Sequence, residues 1–258
     1  MWQYLLVALG VSLLINIALF LVAFRRKTDK LTDVSYAVSF VALGFYALAQ
    51  GPLTPYRFTL FALISIWAVR LGGFLLFRIW HTGKDARFDH MRGDFWKFGR
   101  FWASQGLSVW IILIPALLAL RYEHADFSLQ ALIGLLVWAS GLVIEATADI
   151  QKYNFSSNSA NKGKWIDQGI WHYSRHPNYF GEICVWIGTY LFAASVLSGT
   201  ESAVGAVSPL FIATLLLFVS GIPTLEKSAD ARWGTLDAYK KYKKRTSILL
   251  PLPPKKAT

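Results

Sequence analysis

The chain has 258 residues, 55% of them hydrophobic and 16% aromatic, with a mean hydropathy of +0.41, and its apolar residues come in blocks near bilayer-spanning length. That pattern excludes a soluble globular domain and predicts an all-α integral membrane protein. The net charge of +11 does not indicate nucleic acid, because the basic residues fill the gaps between apolar blocks, and the single cysteine, Cys184, excludes a disulfide framework and a cysteine metal site.

The first span covers about residues 2–24; no small-residue cleavage site follows it, so it is expected to stay in the mature protein. After Arg25, Arg26, Lys27 and Lys30 comes a short second span, about 34–50, closed by Gly51 and Pro52. The third, about 58–79, carries Arg70, which should have a partner, and the pair Gly72-Gly73, expected to permit close helix contact. Residues 80–100 are too charged for a bilayer, with Lys84, Asp85, Arg87, Asp89, His90, Arg92, Asp94, Lys97 and Arg100. The fourth span, about 101–120, holds Gln105 and Pro115, and the fifth, about 129–149, ends on Glu145 and Asp149, which share a helical face. A loop rich in Asn, Ser, Lys and Gly then runs from Gln151 to Pro177. It is followed by a sixth span, about 178–197, a seventh, about 204–222, and a polar, basic tail.

Assigning Lys and Arg to alternate sides tests this seven-span reading. Twenty-three basic residues fall on one side, against Arg57 and Arg121 on the other. The N-terminus should therefore face outward and the C-terminus the cytoplasm, in a single membrane domain over residues 1–258, multi-pass in a bacterial inner membrane. The lysine run from Lys240 to Arg245 reads as a contact for anionic membrane lipids.

The chemistry concentrates in Ser174-Arg175-His176-Pro177-Asn178-Tyr179-Phe180-Gly181-Glu182. Pro177 suits a first helical turn, and a helix beginning there offers free amides to an anion, with Arg175 and His176 at its mouth. Asn178 and Glu182, four apart, share a face, and Gly181 leaves room for a close neighbour. Glu145, Asp149, Asn178 and Glu182 form a near-membrane polar set, costly enough there that function is the first reading; pairing with Arg70 or Lys152 is the structural alternative. Lys152, Lys162, Lys164, Arg175 and Arg232 could neutralise phosphates. There is no GxGxxG or Walker loop, and Pro177 interrupts any helix joining His172 to His176, so no metal site is expected. Trp165, Trp171, Tyr173 and Tyr179 read as interface markers.

The segment from Gly169 to Gly188, with Tyr173, the Ser174 to Glu182 run and Trp186, resembles the C-terminal domain of steroid 5α-reductases and their bacterial relatives; sterol C14-reductases share a similar signature. The tail, with Glu226, Arg232, Tyr239, Tyr242, Arg245, Thr246 and Pro251, is similar to the closing segment of the same superfamily. The resemblance covers about Glu145 to Pro251, and the first four spans match mainly in layout. It implies an NADPH-dependent membrane oxidoreductase that saturates the carbon-carbon double bond of a small hydrophobic enone, foremost a 3-oxo-Δ4-steroid; a monomer is expected. The implied cofactor residues are Glu145, Asp149, Lys152, Lys164, Arg175, His176, Asn178, Tyr179, Glu182 and Arg232. Steroid reductases polarise the ketone with a glutamate on the second span and a tyrosine on the third. The nearest positions here are Asp33 and Trp67, so Asp33 and Tyr36, on one face, are the catalytic candidates. Membrane methyltransferases of the isoprenylcysteine and phospholipid type, which use S-adenosylmethionine, carry a similar pattern, met here by Arg175, His176, Pro177, Tyr179, Gly181 and Glu226. A non-catalytic lipid or sterol binder is the third reading.

Overall fold

In a bilayer the backbone finds hydrogen-bond partners only within itself, so long runs of Leu, Ile, Val, Ala and Phe settle as helices. The computed structural model describes residues 1–82, 88–89, 91–123 and 126–255, and shows no strand among them beyond one isolated bridge between Ser174 and Ser247. Lys84, Asp85, Arg87 and His90 of the charged loop, and Lys256 of the tail, lie outside the described residues.

The helices are α1 (Trp2–Arg25), α2 (Leu31–Leu48), α3 (Pro55–Thr82), α4 (Phe95–Ala119), α5 (Leu129–Ser157) and α6 (Pro177–Ala194). After them come α7 (Gly199–Gly205), α8 (Val207–Thr214), a π-helical turn (Leu215–Val219), α9 (Ile222–Trp233) and α10 (Asp237–Arg245). Six segments among the described residues are long and apolar enough to cross a membrane: α1 to α5, and the helical run Gly199–Trp233. The chain is thus a multi-pass, all-helical membrane protein. The expected sixth span, α6, is not among the six; Asn178 and Glu182 in its first turns dilute its hydropathy. Several helices outrun their expected bounds. Most notably, α5 continues past Asp149 to Ser157, so the stretch expected as loop from Gln151 begins two turns later.

The chain forms two compact units, Met1–Leu132 with Thr189–Ser208, and Ile133–Gly188 with Pro209–Thr258. In the first, α2 packs on α3 and α1 on α4. A buried polar ladder links three helices: the Ser12 hydroxyl donates to the Gly106 carbonyl, Asn16 donates to Ser39 Oγ at 3.0 Å, and Gln105 donates to Asn16 Oδ1 at 3.0 Å and to Ser35 Oγ. Because every bond stays inside the bundle, the ladder fixes the register of α1, α2 and α4 without leaving a polar group in the apolar phase. Arg57, 1% exposed, is a helix cap rather than a topology charge. Its guanidinium donates to the carbonyls of Leu120, Pro52, Ala47 and Leu48, joining the C-terminal ends of α2 and α4, where partial negative charge collects. The Gly72-Gly73 pair divides: a Cβ on Gly72 would fall 2.5 Å from Ala37 Cβ, whereas Gly73 faces open space.

Candidate functional site

Within the second unit, α5 and α6 approach so closely that side chains are excluded. A Cβ on Gly181 would stand 2.6 Å from the Glu145 amide nitrogen and 2.7 Å from the Gly141 carbonyl, and one on Gly188 would meet the Trp138 amide at 2.4 Å. The contact sets Glu145, 2% exposed, beside the first turns of α6, from which Asn178 and Glu182 project. Neither Glu145, Asp149 nor Glu182 is isolated; each has a partner.

The loop ahead of α6 is held by the tail. Ser174 pairs with Ser247, the Arg175 amide donates to the Ser247 carbonyl at 2.8 Å, and the Leu252 amide donates to the Tyr173 carbonyl at 3.1 Å. The Ser174 hydroxyl donates to the Leu249 carbonyl at 2.7 Å and accepts from the His176 amide at 3.1 Å. Trp171 anchors the loop's start by donating its indole N–H to the Ala148 carbonyl on α5, at 3.0 Å.

So fixed, Arg175 and His176 converge on one carboxylate. Glu226 on α9 accepts from Arg175 Nη1 through Oε2 and from His176 Nε2 through Oε1 at 2.9 Å, and Lys243 on α10 reaches Oε2 at 3.0 Å while bonding Asp230 at 2.6 Å. Burial holds the His176 imidazole below its ordinary pKa, outweighing the opposing bond and charge of Glu226. The neutral ring therefore gives its Nε2 hydrogen to Glu226 and keeps a lone pair on Nδ1. Tyr179 stacks on that ring, centroids 5.8 Å apart and planes 11° from parallel. Among the described residues, three buried polar atoms of this segment find no hydrogen-bond partner: Arg175 Nε, His176 Nδ1 and Asn178 Oδ1. Unmet donors and acceptors at one helix mouth fit a ligand that offers both, as the carboxamide, hydroxyls and phosphates of a dinucleotide do.

Other expected positions lie at the surface. Lys152 is exposed, its ammonium 4.7 Å from the centre of the Trp171 ring, and its charge also acts on His176. Lys164 and Arg232 are exposed, and among the described residues neither makes a side-chain bond. Glu226 and Lys243, which hold Arg175 and His176 in place, are not among the expected site residues. The sequence marks Glu226 only through the tail resemblance and the methyltransferase pattern, and Lys243 only as part of the basic run Lys240 to Arg245.

Asp33 and Tyr36 lie in the first unit, one turn apart near the start of α2, and line a tight crevice with Ala37, Trp67, Ala68 and Gly72 that has no room for a water-sized group. Trp67, at the position where a tyrosine was sought, is fully buried, its ring 5.0 Å from Phe40 and 6.4 Å from Tyr36. Its role is packing.

The chain matches the family described as "Protein of unknown function (DUF1295)" over residues 19–246. It belongs to that family. DUF1295 proteins are membrane proteins related to steroid reductases, and the match takes in all of α2 to α10 and the whole Arg175 to Glu226 arrangement. No curated protein and no solved structure matches the chain.

Proposed function

We propose that this DUF1295 protein is an NADPH-dependent reductase of the bacterial inner membrane that saturates the carbon-carbon double bond of an enone lipid, foremost a 3-oxo-Δ4-steroid, in the manner of the 5α-reductases it resembles. The observation that carries the reading is the trio of unmet buried polar atoms at the start of α6, Arg175 Nε, His176 Nδ1 and Asn178 Oδ1. Bound NADPH would supply the hydride. Asn178 Oδ1 accepts from a carboxamide N–H, Arg175 Nε donates to an anionic or carbonyl oxygen, and neutral His176 accepts from a hydroxyl. Asp149 and Glu182 suit hydroxyls and amides, because a carboxylate repels phosphate. That hydride would go to the β-carbon of the enone, with solvent supplying the proton to the α-carbon. Asp33, with Tyr36, would polarise the carbonyl oxygen and stabilise the enolate as charge develops, once their crevice opens to admit it.

Asn178→Ala and Glu182→Ala should each weaken NADPH binding to the purified protein about three- to tenfold while leaving it folded, as expected for one lost hydrogen bond at a preformed site. Unchanged affinity in both would contradict the assignment. One observation favours a second reading: Arg175, His176 and Glu226, all in the membrane methyltransferase pattern, meet at one carboxylate. Saturable binding of S-adenosylmethionine in place of NADPH would select it.

A further inference from the structure

Beyond Asp149, α5 carries Gln151 and Asn154 toward the loop that returns through Asn158, Asn161 and Gln168, and these five carboxamides, with Phe155, line an open groove of about 410 Å³. The volume falls in the range of small-molecule sites, roughly 300–1,000 Å³. The lining contains no charged side chain. Part of it is locked. Gly169, at φ +61°, leaves the space that the Gln151 amide occupies, since a Cβ there would stand 2.3 Å from Gln151 Oε1, and that oxygen accepts from the Ile170 amide at 3.0 Å. That bond leaves the Gln151 NH₂ available as a donor. Asn158 Oδ1 accepts from the Ala160 amide, which frees its NH₂, while Asn161 donates to the Phe155 carbonyl, which frees its oxygen. Asn154 and Gln168 make no hydrogen bond among the described residues, leaving donor and acceptor available on each.

We propose that this groove seats the adenine ring of an adenine nucleotide. A purine with an exocyclic amine presents a donor beside ring-nitrogen acceptors, the pattern a carboxamide meets in both directions, and its flat face stacks on an aromatic side chain such as Phe155. An uncharged, two-sided hydrogen-bonding lining suits a base; it does not suit a phosphate or an acyl chain. Exposed Lys162 and Lys164 follow Asn161 of the lining closely in the chain and are cations that a nucleotide's phosphates could meet. That the nucleotide is NADPH rests on the reductase reading; the base site itself does not.

The test titrates the purified full-length chain with adenosine 2′,5′-bisphosphate and with its guanine counterpart, using the parent, Asn154→Leu, Gln168→Leu and the double variant. Because neither side chain bonds within the fold, all four proteins should show the same helical circular dichroism. The parent should bind the adenine compound in preference to the guanine one, each single variant should lose about three- to tenfold in affinity, and the double variant more. Absence of binding by the parent, equal binding of the two bases, or equal affinities across the variants would overturn the groove. A parent that binds the adenine compound but consumes no NADPH with an enone keeps the groove and removes the reductase. One that reduces an enone while ignoring the variants does the reverse.

Discussion

At the residue scale, one carboxylate, Glu226, gathers Arg175, His176 and Lys243 although it lies 51 positions from Arg175 in the chain. Glu226→Gln leaves a guanidinium and an ammonium facing a neutral amide in a half-buried place, so the variant should lose about 3 kcal/mol of stability, read as a fall in thermal midpoint. His176 adds a pH dependence. Its folded pKa is depressed by burial, so an unfolded chain binds a proton that the folded one refuses. Stability should be full above about pH 6.5, the ordinary histidine value, and fall as pH drops from there through the depressed folded value. His176→Gln, which retains a donor toward Glu226, should flatten that slope relative to the parent. An unchanged slope would show that another group sets it. In the first unit, Asp33→Asn should cut turnover about a hundredfold with NADPH affinity nearly unchanged, on the scale of other electrostatic groups that meet a developing charge. Tyr36→Phe costs as much only if the phenol is the donor. Arg175, His176 and Asn178 were legible in the sequence because local motif chemistry marks them. Glu226 is marked there only by resemblance, and its part with Lys243 as the shared anchor is not legible, because it arises only when α9 and α10 fold back to that motif.

At the scale of elements, hydropathy located the long helices and missed where they end. Nothing in periodicity says that α5 continues to Ser157, since Gln151 and Asn154 read as loop residues until the chain is seen to stay helical and bring them to a groove that Asn158 also lines. Glycine gives the sharper prediction. Gly181→Ala must push apart the backbones of α5 and α6, for the new Cβ meets Glu145 and Gly141 main-chain atoms rather than a flexible side chain, and folded yield should collapse. Gly73→Ala meets nothing and should express like the parent. The sequence offered Gly72 and Gly73 as a pair; only contact with Ala37 separates them.

For the whole molecule, the basic asymmetry and the helices give a chain that crosses the membrane several times, with the number of crossings depending on α6. The burial of Arg57 strengthens the asymmetry, because a guanidinium spent on helix carbonyls no longer counts as an exposed charge on the sparse side. A reporter after Pro251 should be cytoplasmic, and one in the Ser198 to Ser202 segment should lie across the membrane; both on one side would remove the orientation. The most direct measurement of function is product analysis with the purified protein, NADPH and a 3-oxo-Δ4-steroid. The account predicts loss of NADPH absorbance matched one for one by saturated ketone, with activity falling in Asn178→Ala and Asp33→Asn. NADPH left unconsumed by the parent across a panel of enone lipids, together with methyl transfer from S-adenosylmethionine, would contradict it.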